Sequence, residues 1–225
     1  MAEIFLVRPG HTDFDAQHRI QGLLDLPLSE RGRQHIEEAV AQLRPLKINV
    51  ILSDPGEPAY TTAQLLGDAL DVPVKEKSEL RNLDQGLWQG LQLDDVRRKY
   101  PKLLKQWHLH PETICPPGGE PVCDAMQRIT EVLKKPLKKY KRVVIVAADP
   151  LATLIAGTLR GAPPEFRGPM CSHTGGCVEV VGEEAATPVG AMNGNGKSNG
   201  NGNGNGRTPV YQTTVSAGHG HEFDL

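Results

Sequence analysis

The chain has 225 residues, with 25 Lys and Arg against 27 Asp and Glu, a net charge of −2 and a hydrophobic fraction of 38%. That length suits one domain of ordinary size, or a domain with an appendage. The near-balanced charge argues against nucleic acid or an anionic membrane surface as partner, and no apolar stretch approaches the roughly 20 residues of a membrane helix.

Ile4–Val7 reads as a buried strand, and Leu28–Leu43 as a helix that Ser29 can cap, with Ile36, Val40 and Leu43 on one face. Asn49–Ser53 is a second strand and Glu57–Leu70 a second helix, with Pro58 tolerable in its first turn. Val72–Lys75 is a short strand. Leu93–Leu109 reads as one helix, ending before the break "CPPGGEP" at Cys115–Pro121. Val122–Tyr140 is a helix with a possible interruption at Pro136, and its end carries the lysine-rich run "KKPLKKYKR". Cations are favoured at that end by the macrodipole; docking of an anionic partner is the functional alternative. Val143–Ala147 is the strongest strand, Leu151–Leu159 a helix, and Cys177–Val181 a further strand. Strands alternating with helices predict an α/β fold, a mostly parallel sheet covered on both faces.

Composition then changes. "MNGNGKSNGNGNGNG" at Met192–Gly206 offers little to bury. Residues 183–207 are therefore expected as a flexible insert, with 1–182 as the α/β domain and 208–225 as a returning edge strand, Thr208–Val215, and a tail holding His219 and His221. The chain begins without the basic-then-apolar pattern of a signal peptide. A cytoplasmic protein is expected, with Cys115, Cys123, Cys171 and Cys177 as reduced thiols. Cys171, His173 and Cys177 fit no standard zinc spacing, so no metal is expected.

Four segments, "LVRPGHT" at Leu6–Thr12, "RIQGLLDLPLSERG" at Arg19–Gly32, "GLWQG" at Gly86–Gly90 and "PPGGE" at Pro116–Glu120, resemble in order the signatures of the histidine phosphatase superfamily, the phosphoglycerate mutase-like proteins. The resemblance spans about residues 4–160. It implies a three-layer α/β/α sandwich with a small helical cap near residues 91–125, and a phosphohistidine mechanism without metal or other cofactor. In that chemistry a histidine attacks phosphorus, two arginines and a second histidine hold the phosphoryl oxygens, and a carboxylic acid protonates the leaving oxygen.

Carried over position by position, the resemblance keeps one of these groups, Arg8. The nucleophile falls on Pro9, the second arginine on Pro58, the acid on Asn82 and the second histidine on Ala148. Proline has no reactive side chain, and an amide cannot act as a general acid. The glycine after the second histidine becomes Asp149, and a frequent asparagine becomes Asp15, so two carboxylates are expected near the phosphate position, opposed by Arg8. Gly22, Asp25, Pro27, Trp88 and Gly90, turn and packing positions, are intact. The expectation is a pseudophosphatase: a binding or regulatory module for an unidentified protein or small molecule, with Arg8, His11, Thr12, Asp15, Gln21, Gly22 and Asp149 as candidate ligand contacts. The alternatives are a weak phosphomonoesterase using His11, another hydrolase built on Asp15, Asn82 and Asp149, or a scaffold using the Asn/Gly tether; His173 reads as a loop histidine.

Overall fold

The computed structural model describes residues 2–163, 166 and 178–181, all within a compact unit, Met1–Thr187. The Asn/Gly-rich insert, the strand expected at Thr208–Val215, His173, His219, His221, Cys171 and Cys177 lie outside the described residues. The elements, in chain order, are β1 Glu3–Val7, α1 Asp13–Ala16, α2 Glu30–Leu43, β2 Val50–Ser53, α3 Ala59–Leu70, β3 Val74–Glu76, α4 Leu93–Lys99, α5 Pro101–Leu109, α6 Val122–Lys139, β4 Arg142–Val146, α7 Leu151–Arg160 and β5 Val178–Val181.

The strands form one sheet in the order β3-β2-β4-β1-β5. All neighbours are parallel except β5, which runs antiparallel to β1 and pairs Leu6 with Glu179 and Val7 with Val178. The apolar runs of β1 and β4 are continuous because both faces are covered. Side chains alternate across the pleat: Ile4, Leu6, Val143 and Ile145 face one core with α6 and α7, whereas Phe5, Val7, Val144 and Val146 face another with α2 and α3. This is the three-layer sandwich. Trp88 and Trp107, both fully buried, meet edge to face and join the turn after β3 to α5. Among the described residues, no helix is long and apolar enough to cross a membrane.

Three expectations change in detail. The single helix expected at Leu93–Leu109 is two, because Tyr100 precedes Pro101 and lies outside the helical region at φ −131°, ψ 49°; a residue before proline is pushed from the α region. By contrast α6 continues through Pro136 and ends three residues later, at Lys139. A proline so near a helix end disturbs only the last turn. Finally, α3 begins at Ala59, leaving Glu57 and Pro58 in the preceding loop.

Candidate functional site

The site lies past the C-terminal ends of the parallel strands. There β1 delivers Arg8, β4 delivers Ala148 and Asp149, and the loop after β3 delivers Asn82. In open α/β sheets this rim is the usual ligand position.

Arg8 is engaged by carboxylates. Its Nε donates to Asp149 Oδ2 at 2.6 Å, with both side chains about 15% exposed, and its Nη1 donates to Glu179 Oε2 at 3.3 Å. Burial alone lowers the guanidinium pKa, but the charges of Asp149 and Glu179 outweigh it and the net shift is upward. The second carboxylate oxygen of Asp149, Oδ1, accepts from Thr153 Oγ1 at 2.9 Å, and the residue sits at the N-terminal end of α7, where a negative charge is favoured. Glu179 also accepts from Arg160 Nη2 at 2.7 Å.

Asn82 is buried and acts as a tie. Its Nδ2 donates to Asp149 O at 2.9 Å and to Gly22 O at 3.2 Å, while its Oδ1 accepts from Leu83 N at 2.8 Å and Leu151 N at 3.3 Å. The loop after β1 is fixed from another side: Gly10 N donates to Thr62 Oγ1 at 3.0 Å, and that hydroxyl donates to Pro58 O at 2.8 Å. Thus the positions of Arg8, Pro9, Pro58, Asn82 and Asp149, distant in sequence, are linked by a chain of contacts around one rim.

The remaining candidates serve the backbone. Asp15 is not the second carboxylate on Arg8. Its Oδ2 accepts from Thr12 N at 2.7 Å and Thr12 Oγ1 at 2.8 Å, closing a capping box on α1. Gln21 Nε2 donates to Leu24 O and Glu57 O, each at 3.3 Å. Gly22 has φ +58°, and a Cβ there would meet Gln89 at 2.2 Å. His11 is buried, its Nδ1 has no hydrogen-bond partner among the described residues, and its ring meets His35 edge to face at 6.0 Å. Burial is the main cause that lowers the pKa of His35, aided by the charge of Arg31. Sequence reasoning missed Glu179, Thr62 and Thr153. The strand reading of Cys177–Val181 was the one signal for Glu179, but pairing with β1 is what aims it at Arg8. Among the described residues no group of three or more His, Cys, Asp or Glu is placed to hold a metal ion.

A mostly parallel sheet sandwiched by helices, with an arginine just past the end of its first apolar strand, is the α/β architecture that the sequence resemblance implies. The chain belongs to the histidine phosphatase superfamily, branch 1, whose family model matches residues 4–193. It is 30% identical over 149 residues to phosphoserine phosphatase 1 of Hydrogenobacter thermophilus, covering 66% of this chain and 71% of that one. It is 25% identical over 169 residues to an uncharacterized phosphatase, PhoE, of Bacillus subtilis, covering 74% and 82%. Among solved structures, a mycobacterial glucosyl-3-phosphoglycerate phosphatase superposes with a TM-score of 0.66 at 28% identity, covering 73% of this chain and 82% of that one. YhfR of Bacillus stearothermophilus shares the fold, with a TM-score of 0.69 at 23% identity over 80% of this chain and 90% of that one.

Proposed function

We propose that this histidine phosphatase family member is catalytically silent and works as a cytoplasmic binding or regulatory module for a protein or small-molecule partner. The observation that carries the reading is the Arg8–Asp149 pair: the one retained phosphate-binding group holds the chain's own carboxylate at 2.6 Å. With Glu179 also on Arg8 and shared with Arg160, two cations stand against two anions, so the rim carries no positive excess. An entering phosphate dianion would meet no net attraction and would have to break a desolvated ion pair. No imidazole stands at Pro9 or Ala148 to attack or to clamp phosphorus. The free thiols of Cys115 and Cys123 suit a reducing compartment.

The names of the relatives favour the second reading, a weak phosphomonoesterase. The two separate cleanly in assays of p-nitrophenyl phosphate hydrolysis by highly purified protein across pH 4–9, beside Arg8→Ala. Loss of a nucleophile from a catalytic unit costs on the order of 10⁶ in kcat, so both proteins are expected at the buffer rate. Turnover well above that rate in the parent protein, reduced in Arg8→Ala, would establish the phosphomonoesterase and end the silent reading.

A further inference from the structure

A second feature lies on the outer face of α6, beside the sheet edge formed by β3. A trough of about 720 Å³ runs there, with one wall from Lys75, Lys77 and Glu79 and the other from α6 between Asp124 and Lys139. Fifteen helical steps at 1.5 Å make it ~22 Å long, enough for about seven residues of extended chain at ~3.3 Å each. So long and narrow a volume fits an extended segment better than a compact metabolite.

The trough is electrically polarised. Lys75, Lys77, Lys135, Lys139 and Tyr140 line the end nearer the C-terminus of α6, whereas Asp124 and Glu131 line the other. None of those four lysines is paired with a carboxylate among the described residues. Instead, the ammoniums of Lys75 and Lys139 both lie 5.4 Å from the centre of the Tyr140 ring, and Lys75 Nζ donates to its hydroxyl at 2.9 Å. Two cations crowd one phenol, and its pKa is lowered, chiefly by the hydrogen bond from Lys75, with desolvation opposing and the charges of Lys139 and Lys75 adding to the shift. Arg128, which also lines the trough, is already spent: it grips the carboxylate of Glu120 and the carbonyls of Arg81 and Asn82. On the other wall, β3 is an edge strand only three residues long. So short an edge, carrying Lys75, resists strand addition, so the occupant is held by its charges and not by a backbone ladder.

We infer that this trough is a docking site for an extended acidic peptide segment of a partner protein, oriented with its carboxylates at Lys75, Lys77, Lys135 and Lys139. The far end, lined by Asp124, by Glu79 and by a Glu131 already paired with Lys134, offers those carboxylates no free lysine and so fixes the direction. Tyr140 precedes β4 and Asp149 follows it, so the basic end lies a strand's length from the phosphatase-like rim. The site therefore stands whether or not that rim is silent.

The test uses the full chain and a fluorescent nine-residue peptide with four Asp or Glu at one end, beside its Asn/Gln counterpart, with polarisation as the readout. Saturable binding of the acidic peptide alone is expected. In Lys135→Glu/Lys139→Glu, its affinity should fall about tenfold or more, since two exposed attractive contacts become repulsive. Lys138→Glu, an exposed change on the same helix outside the trough, should leave affinity within about twofold. Lys75→Ala/Lys77→Ala tests the opposite wall, and covers the case that the α6 variant is poorly folded by circular dichroism. Absence of saturable binding, equal losses in the Lys138→Glu and trough variants, or full displacement by inorganic tripolyphosphate at matched charge concentration would each overturn the proposal. The last outcome would mean that the surface reads charge and not an extended chain.

Discussion

Gly32→Ala is expected to lower the melting temperature by about 6–12 °C. Gly32 lies in the first turn of α2, whose N-cap, Ser29, accepts from its N–H at 3.1 Å. That turn rests on the backbone of the loop after β1. Ser29 donates to His11 O at 2.9 Å through both its N–H and its hydroxyl. A Cβ on Gly32 would lie 2.2 Å from His11 O and 2.8 Å from His11 N, and a Cβ on Gly10 would lie 2.6 Å from Gly32 O. Two backbones meet with no side chain between them, so no rotamer change can relieve the overlap. Overpacking costs typically 1–3 kcal/mol, and the displaced bonds to His11 O add about 1 kcal/mol each. The lower end of that sum, about 3 kcal/mol, at ~2–4 °C per kcal/mol for a domain of this size, gives the quoted shift. Gly118→Ala is the contrast. It has φ +73° with nothing within 4 Å of an added Cβ, so only the backbone preference is lost, about 1 kcal/mol. Equal shifts in the two variants would show that the helix is not seated on the loop.

The same contact explains which parts of this molecule were readable from its residues. The "PLSERG" segment ending at Gly32 looks like a helix start because Ser29 and the apolar spacing are local signals. Its closeness to His11 is a tertiary fact, with no local trace. The strands were legible as apolar runs, but their two faces were not, since the division of Ile4 and Leu6 from Phe5 and Val7 depends on which helices cover the sheet. The break at Tyr100 was carried by Pro101 in plain view. The backbone restriction before that proline overrides the continuous apolar pattern of Leu93–Leu109. Thr12 and Asp15 have the spacing of a capping box, a local signal that was open to reading and that assigns Asp15 to α1 rather than to Arg8. Glu179 could not have been placed so. It reaches Arg8 only because β5 returns antiparallel beside β1, across 171 positions of chain.

Restoring single family residues is expected to damage the fold without producing an enzyme. Asn82→Glu puts a carboxylic acid at the position where the resemblance implies the general acid. In this chain, however, the Asn82 amide gives its two protons to Asp149 O and Gly22 O. A carboxylate has none to give, so two carbonyls lose their donor and face an anion in a buried setting. At ~1–3 kcal/mol for each buried polar group left unpaired, a loss of about 3 kcal/mol and 6–12 °C follows. Pro9→His introduces an imidazole beside Arg8, yet Arg8 remains bound to Asp149, and Pro58 and Ala148 supply no clamp. Phosphomonoester hydrolysis by that variant should stay at the buffer rate. Groups that act as a unit contribute far less than additively, so turnover should emerge only when Pro9→His, Pro58→Arg, Asn82→Glu, Ala148→His and Asp149→Gly are combined. In that set the Arg8–Asp149 ion pair is gone and Glu179 is the carboxylate left on Arg8, while the glutamate at position 82 still faces the backbone oxygens of residues 22 and 149, so turnover is expected at the cost of stability. The decisive comparison is Pro9→His alone. Measurable turnover there would mean that the clamp is already present in other residues and that the Asp149 ion pair opens readily; turnover confined to the combined variant would mean that the ion pair and the missing clamp together keep the site silent.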